Sequence, residues 1–290
     1  MLDYIGAYVK FLKKQASVKR PLSIVFDCSD GVAGLVLKRL KIKSVKIKVI
    51  CGKPNGNFPS HGPNPLEEGA LDTLKKEVKR EKADLGCAFD ADGDRAFFVD
   101  NKGRTVPAYV TANLLFSKQK GSFVTEVLTY YALKSTGFKG KLYESRVGTY
   151  FVKEKMRKER SIIGGEYSGH YYFKELAYSD SGILTAIKVM NNLSRLPYSF
   201  ADFFDSLPAF YIEQPNVKSE DRKKDMKKIE KVYIRKARKI DRIDGITFHF
   251  GDIWFNTRPS NTEPLLRFFI GGLDEKKVKK LKKEILRVLK

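Results

Sequence analysis

The clearest structural signal in this 290-residue chain is CAFDADGDRAFFVDNKG, residues 87 to 103. The apolar run that ends at Phe89 is typical of a buried strand, and Asp90, Asp92 and Asp94 follow it directly. Open α/β sheets bind ligands at the carboxyl ends of their strands. The stretch therefore predicts an α/β domain with three carboxylates at its ligand-binding edge.

Three like charges so close together repel one another, and a divalent cation would compensate them. Carboxylates at every second position can converge on one ion, and hard oxygen ligands suit Mg²⁺ or Ca²⁺. The pattern is not an EF-hand, because Gly93 stands between the second and third acids instead of after the third. A solvated acidic turn stays open as the alternative.

Alternating strands and helices predict the architecture of the rest of the chain. The alternation favours mostly parallel sheets, and it restarts after residue 104. We expect two doubly wound three-layer α/β/α domains, at 1–104 and 105–208, which look like two copies of a similar unit. A smaller α+β C-terminal domain, predicted from a hairpin, a strand and a basic closing helix, occupies 209–290.

The chain is strongly basic, with a net charge of +22 from 56 Lys and Arg against 34 Asp and Glu. Such charge can indicate nucleic-acid binding. The basic residues are spread over helix faces along the whole chain, and no zinc-finger, basic-zipper or RNA-binding ribonucleoprotein pattern occurs. A solvated basic surface that favours an anionic small substrate is the preferred interpretation, and nucleic acid is an unfavoured partner.

Cysteine spacing and the N-terminus predict the cellular compartment. Cys28, Cys51 and Cys87 cannot all pair and show no C-x-x-C spacing, which favours a reducing cytoplasm. The N-terminal residues are typical of an amphipathic helix, not of a signal peptide. No apolar run approaches the ~18 residues of a membrane span, so we expect no membrane partner.

Four motifs in order resemble those of the α-D-phosphohexomutase superfamily, which includes phosphomannomutase and phosphoglucomutase. They are FDADGDR (89–95), RVGTYFVKEKM (146–156), GGEYSGH (164–170) and TRPSNTEPLLR (257–267). The resemblance covers nearly the whole chain, including the loop at 58–65. Full-length members have four domains, and this chain looks like the second, third and fourth.

The resemblance implies that Asp90, Asp92 and Asp94 bind Mg²⁺ and that Arg95 lies near the phosphoserine of the family. Phosphoryl transfer spreads negative charge over the equatorial oxygens, and a metal ion and an arginine would stabilise that charge.

The resemblance also implies roles in the two middle motifs. Glu166 and Ser168 would hydrogen-bond the sugar hydroxyls, and His170 would take part in proton transfer. Lys153 would act as an acid or base, although an exposed helix lysine is an equal alternative. Arg146 is expected to face the site. By itself, a histidine beside Gly and Tyr is more often structural.

The last motif is implied to bind the phosphate that is not transferred. Its candidate ligands are Arg258, Ser260, Asn261 and Thr262, with Arg267 as a second basic position. A guanidinium offers charge and bidentate geometry, which hydroxyls and backbone N–H groups can complete. A proline-containing turn between two strands is the alternative.

The implied function is the interconversion of hexose 1-phosphate and hexose 6-phosphate with Mg²⁺ through a bisphosphate intermediate. The family's nucleophilic serine belongs to its first domain, and no such loop occurs in these 290 residues. A separate chain would then supply the serine domain, or that domain lies outside this sequence. The alternatives are a catalytically incomplete protein that binds Mg²⁺ and hexose phosphate, and a basic nucleic-acid-associated protein.

Overall fold

A computed structural model describes residues 3–117, 119–260 and 263–289. The α-helices are α1 Tyr4–Gln15, α2 Ala33–Leu37, α3 Asp72–Arg80, α4 Ala108–Ser117, α5 Val127–Ser135, α6 Thr149–Glu159, α7 Gly182–Leu193, α8 Phe200–Ser206, α9 Arg222–Tyr233 and α10 Glu275–Leu289. The strands are β1 Leu22–Asp27, β2 Val45–Ile50, β3 Leu85–Phe89, β4 Ala96–Asp100, β5 Thr105–Val106, β6 Ser122–Glu126, β7 Lys141–Ser145, β8 Ile163–Gly165, β9 Tyr171–Phe173, β10 Ser179–Asp180, β11 Tyr211–Glu213, β12 Asn216–Lys218, β13 Lys239–Asp241, β14 Ile246–His249, β15 Ile253–Pro259 and β16 Leu265–Gly272.

The first sheet has the order β2-β1-β3-β4-β5 and carries helices on both faces. Strand residues alternate between the faces. Phe26 and Cys87 pack on the side of α1 and α2, whereas Val25 and Ala88 pack against α3. This unit is therefore the predicted three-layer α/β/α arrangement.

The second sheet repeats the topology of the first, with the order β7-β6-β8-β9-β10. In each sheet the first three strands are parallel, and the last two are antiparallel. The expectation of two similar units is confirmed, but the sheets are less parallel than predicted. The physical reason is that β3 and β4 are joined by only the acidic loop, which is too short for a parallel crossover.

The third sheet is antiparallel, with the order β11-β16-β15-β14-β13 and with β12 paired to β16. Helices α9 and α10 cover one of its faces through an apolar core that includes Phe255 and Phe268. The opposite face contacts α5, where Trp254 packs on Tyr131. This is the predicted α+β domain, and it rests on the second α/β unit.

One continuous apolar core joins the first two sheets. Helices α4 and α7 contribute Leu114, Leu184 and Ile187 to it, together with strand residues from both units, such as Phe98 and Phe123. Burial of such side chains contributes ~1.5–3 kcal/mol each. The two α/β units are therefore held in a fixed relation, which positions the loops at their strand ends.

The first sheet extends past residue 104, because Val106 in β5 pairs with Phe98 in β4. We propose accordingly that the first domain ends at residue 106. Among the residues that the structure describes, no helix has both the length and the apolar character needed to cross a membrane.

Gly182, at the start of α7, is pressed against the acidic loop. Its backbone N–H donates to the carbonyl of Gly93 at 3.0 Å, and a Cβ here would lie 2.3 Å from the backbone oxygen of Arg95. We predict that Gly182→Ala lowers the free energy of unfolding by ~1–3 kcal/mol, the usual range for overpacking, as measured by urea denaturation. Gly56→Ala is the control, because a Cβ there meets no described atom within 4 Å. Equal stability of the two variants would contradict this packing.

Candidate active site

The three predicted metal ligands lie together at the carboxyl end of β3. Asp90 is buried, Asp94 is half-buried and Asp92 is exposed, and one oxygen from each lies within 4.8 Å of the others. The Oδ1 atom of Asp94 is buried and has no hydrogen-bond partner among the described residues. An orphaned carboxylate oxygen beside two further carboxylates fits a hard divalent cation such as Mg²⁺.

The electrostatics of the loop also favour a cation. Burial raises the pKa of Asp94, the charges of Asp90 and Asp92 raise it further, and the result is about 6 in spite of the opposing effect of His170. Ionisation of Asp94 is thus less favourable than that of an ordinary aspartic acid, and a cation between the three acids would stabilise its carboxylate form.

Arg95 is fixed by the same loop. Its Nε donates to the carboxylate of Asp90, and its backbone N–H donates to Asp90 Oδ1 at 3.2 Å. Its Nη1 lies 3.4 Å from Oδ1 of Asn64, in the loop at 58–65. The guanidinium therefore lies directly beside the three carboxylates, and its expected place near the family's phosphoserine stays a prediction.

The GGEYSGH segment forms the turn between β8 and β9 and contacts the acidic loop through backbone groups. The N–H of Ala96 donates to the carbonyl of Gly169 at 3.0 Å, and Arg95 forms an isolated antiparallel bridge with His170. Gly169 has φ +92°, and a Cβ there would lie 2.7 Å from the ring of Phe97. A glycine is required here because the turn lies so close to β4.

His170 lies between two carboxylates. Its Nδ1 is 3.0 Å from Oδ2 of Asp180 and 3.7 Å from Oδ2 of Asp94. Burial lowers the pKa of His170, but the hydrogen bond to Asp180 and the charge of Asp94 outweigh burial, so that its pKa is raised. The contacts bring His170 to the acidic loop, and its role in proton transfer stays a prediction.

Lys153 joins the same cluster. Its Nζ lies 3.3 Å from Oδ1 of Asp180 and 5.3 Å from the ring centroid of Tyr172, with the side chain only 22% exposed. The alternative of an exposed helix lysine is therefore disfavoured. Asp180 connects Lys153 with His170, and the sequence analysis missed it. The only sequence feature that marks Asp180 is its position just before α7, where an acidic residue is ordinarily interpreted as part of a helix N-terminus.

Glu166 connects two loops and is buried. Its Oε1 accepts from the backbone N–H of Gly148 at 2.7 Å, and its Oε2 accepts from the hydroxyl of Tyr172 at 2.5 Å. Ser168 is half-buried in the same turn. Arg146 is exposed, and its guanidinium lies 4.0 Å from the ring centroid of Phe151. The described contacts thus place Arg146 against an aromatic ring and not against the other site residues.

The C-terminal motif places three donors in one part of the third sheet. Arg258 and Arg267 are directly paired across β15 and β16, and Ser260 follows β15. The Nε atoms of both arginines and the Oγ of Ser260 are buried without a hydrogen-bond partner among the described residues. Unpartnered N–H and O–H groups beside guanidinium charge fit an anion. Asn261 and Thr262 lie outside the described residues.

Asp244 joins this motif to the second α/β unit, and the sequence analysis missed it too. Its Oδ2 accepts from the backbone N–H of Val147 at 3.3 Å and lies 3.5 Å from Nε of Arg258. An Asp-Gly pair before a strand is ordinarily interpreted as a turn. Val147 precedes Gly148, the partner of Glu166, so contacts run without interruption from the turn between β8 and β9 to Arg258.

Comparisons with known proteins agree with this arrangement. The phosphoglucomutase/phosphomannomutase family models match in three consecutive segments: alpha/beta/alpha domain II at residues 3–103, alpha/beta/alpha domain III at 107–211, and the C-terminal domain at 215–288.

Similar proteins include the "Phosphohexose mutases" of Xanthomonas campestris pv. campestris (strain B100), 35% identical over 279 residues that cover 92% of this chain and 60% of the relative. The "Phosphomannomutase" of Escherichia coli (strain K12) is 34% identical over 278 residues, 90% of this chain and 61% of the relative. The chain therefore spans about 60% of the length of these relatives.

The fold is also shared with a solved structure. The crystal structure of a phosphoglucomutase/phosphomannomutase family protein from Burkholderia thailandensis matches with a TM-score of 0.85 and 24% identity. The match covers 99% of this chain and 64% of that structure. At this identity the likeness establishes the fold.

The raised pKa of Asp94 gives a prediction with a definite sign. Because its folded-state pKa of about 6 exceeds the ordinary value of 3.8, ionised Asp94 lowers stability at neutral pH, and this effect fades as the pH falls through 6. Without divalent ions, Asp94→Asn should raise the melting temperature at neutral pH by ~1–3 °C, a small change because the carboxyl is partly exposed.

The gain should disappear near pH ~4, where the wild-type carboxyl is largely protonated. Asp72→Asn, on the exposed surface of α3, is the control and should show no such pH-dependent gain. A melting temperature for Asp94→Asn that is lower than wild type at neutral pH would contradict the assignment of repulsion in this loop.

Proposed function

This chain belongs to the phosphoglucomutase/phosphomannomutase family, and we propose that it supplies the metal-binding, sugar-binding and phosphate-binding parts of a phosphohexomutase site. The observation that carries the proposal is the uninterrupted set of contacts from Asp94 through His170 and Glu166 to Asp244 and Arg258. One set of loops from three sheets thus presents carboxylates, a histidine and arginines together.

Asp90, Asp92 and Asp94 would bind Mg²⁺ in this proposal. When bound, the ion would neutralise charge on the phosphoryl group during transfer. Arg95 would add a second positive charge at the same position, and its salt bridge to Asp90 keeps the guanidinium oriented. The orphaned Oδ1 of Asp94 supports this assignment.

The sugar would lie against the turn between β8 and β9. Glu166 already accepts two hydrogen bonds, and each carboxylate oxygen keeps further acceptor capacity for a sugar hydroxyl. Ser168 would offer a hydroxyl from the same turn. His170 would move the proton of the reacting hydroxyl, with Asp180 holding its ring and Lys153 balancing the charge of Asp180.

The phosphate that is not transferred would bind to the C-terminal motif. Arg258, Arg267 and Ser260 provide the buried unpartnered donors. A phosphate would satisfy these donors with charge-assisted hydrogen bonds, which are stronger than neutral ones. Asn261 and Thr262 are proposed to complete the site.

The proposed reaction is the interconversion of hexose 1-phosphate and hexose 6-phosphate through a bisphosphate, with mannose or glucose as the sugar. The nucleophilic serine would come from a further domain, on a separate chain or on a longer form of this one.

We propose the cytoplasm as the compartment, in agreement with three free thiols. The names of the relatives do not favour the binding-only and nucleic-acid alternatives.

A binding and complementation experiment tests this function. Titration calorimetry of the chain with mannose 1-phosphate in Mg²⁺ should show saturable binding. Conversion to the 6-phosphate, with a trace of 1,6-bisphosphate, should appear when the first domain of a phosphomannomutase relative is fused before residue 1. Absence of binding would overturn the proposal. Conversion by the unfused chain would show that the nucleophile lies within these residues.

Removal of one phosphate ligand gives a quantitative prediction. Arg258→Ala should weaken mannose 1-phosphate binding by ~1.5–3 kcal/mol, roughly 10- to 150-fold, because a charged hydrogen bond is lost. Arg235→Ala is the matched control, since Arg235 is an exposed arginine of the same C-terminal region. If both variants bind the sugar phosphate as wild type does, the C-terminal motif is not part of the site.

A further inference from the structure

A second cluster of side chains that could ligate a metal lies in the first sheet, at the carboxyl ends of β1 and β2. Asp27 ends β1, Cys51 follows β2 directly, and His61 belongs to the loop at 58–65. Because β1 and β2 are parallel and Asp27 is opposite Ile50, the first two residues are neighbours in space. One ligand atom from each member of this Asp27–Cys51–His61 cluster lies within 4.8 Å of the others.

Two of the three side chains of the cluster are shielded from water. Asp27 is fully buried, and the side chain of His61 is only 8% exposed. The Nε2 of His61 lies 3.1 Å from both carboxylate oxygens of Asp27, and its Nδ1 is buried without a partner among the described residues. Cys51 is partly exposed, which leaves one side of the cluster open to water.

We propose that the Asp27–Cys51–His61 cluster binds a divalent transition metal of the zinc class. A thiolate, an imidazole and a carboxylate together form the mixed S/N/O donor set that Zn²⁺ accepts and Mg²⁺ does not favour. The cluster shares no residue with the acidic loop at 90–94. Three protein ligands would leave a fourth position for water, as in zinc sites that remain open.

The separation of His61 from Asp27 is compatible with a tetrahedral ion. Adjacent nitrogen and oxygen ligands that each lie ~2.0–2.1 Å from zinc are about 3.3 Å apart. The observed separation of 3.1 Å between His61 and Asp27 is close to this value, so small side-chain movements would admit the ion.

The electrostatics of the cluster favour positive charge. The buried carboxylate of Asp27 is paired with the imidazole of His61, so this anion stabilises a positive charge on or beside the ring. A divalent cation would replace the proton on the imidazole and the proton on the thiol, and both would be released to solvent on binding.

The backbone at Cys51 is held in an uncommon conformation. Its φ is +47°, in the left-handed region that residues other than glycine rarely adopt. The N–H of Asp30 donates to the carbonyl of Cys51 at 3.0 Å and helps to maintain this conformation. Such local strain persists where the surrounding structure fixes it, often at functional sites.

A metal ion here would fix the loop that supports Arg95. Ser60 donates its N–H and hydroxyl to Asp30 at 3.0 and 3.1 Å, His61 follows, and Asn64 contacts Arg95 at 3.4 Å. Binding at the cluster would therefore fix this loop at His61, close in sequence to Asn64 and its contact with Arg95. The inference does not depend on the proposed function, because it concerns metal binding alone.

Cobalt spectroscopy of the whole chain tests the proposal. In excess Mg²⁺, which occupies hard-ligand sites, Co²⁺ should bind with one-to-one stoichiometry and give visible d–d bands together with a near-ultraviolet thiolate charge-transfer band. Zn²⁺ should displace it. Cys51→Ser should remove the charge-transfer band, whereas the control Cys28→Ser should keep it, since Cys28 is buried outside the cluster.

Absence of the bands in wild type, or a charge-transfer band that survives Cys51→Ser, would overturn the proposal. A second measurement needs no variant. Zn²⁺ should slow alkylation of Cys51 by iodoacetamide by roughly tenfold or more, because a metal-bound thiolate is a poorer nucleophile. Peptide mass spectrometry would quantify this, and an alkylation rate of Cys51 that Zn²⁺ leaves unchanged would equally contradict the site.

Discussion

The site depends on one backbone hydrogen bond, in which the N–H of Ala96 donates to the carbonyl of Gly169 at 3.0 Å. It joins the start of β4, directly after the acidic loop of the first sheet, to the turn between β8 and β9 of the second. The packing of Gly182 on Gly93 supports the same contact from the side of α7. Backbone groups have fixed geometry, so this junction positions His170 beside the carboxylates more rigidly than side-chain contacts could.

The repetition of one topology explains why functional loops from two units can meet. Each sheet contains an antiparallel pair, β3–β4 and β8–β9, whose connecting loop carries site residues. The common core through α4 and α7 brings these two hairpins together, because both units bury apolar residues against the same helices. The antiparallel C-terminal sheet adds arginines from a third direction, joined through Asp244.

The sequence was sufficient to predict the fold class, the two similar α/β units and the clustering of the acidic loop. Local patterns determine these features. It was insufficient for Asp180 and Asp244, because their partners belong to other elements: Asp180 contacts residues 10 and 27 positions away, and Asp244 contacts a residue 97 positions away. For Arg146, the described contact is the ring of Phe151, and its expected place facing the site stays a prediction. Such outcomes depend on tertiary packing that neither periodicity nor spacing records.

A crystal structure of the chain with Mn²⁺ and mannose 1-phosphate would test the central claim most directly. Anomalous scattering would locate the metal without reference to the protein geometry. We expect the ion between Asp90, Asp92 and Asp94, with the sugar phosphate against Arg258 and the turn that holds Glu166. An ion elsewhere, or a sugar phosphate that contacts neither loop, would contradict the account of a single site built from three domains.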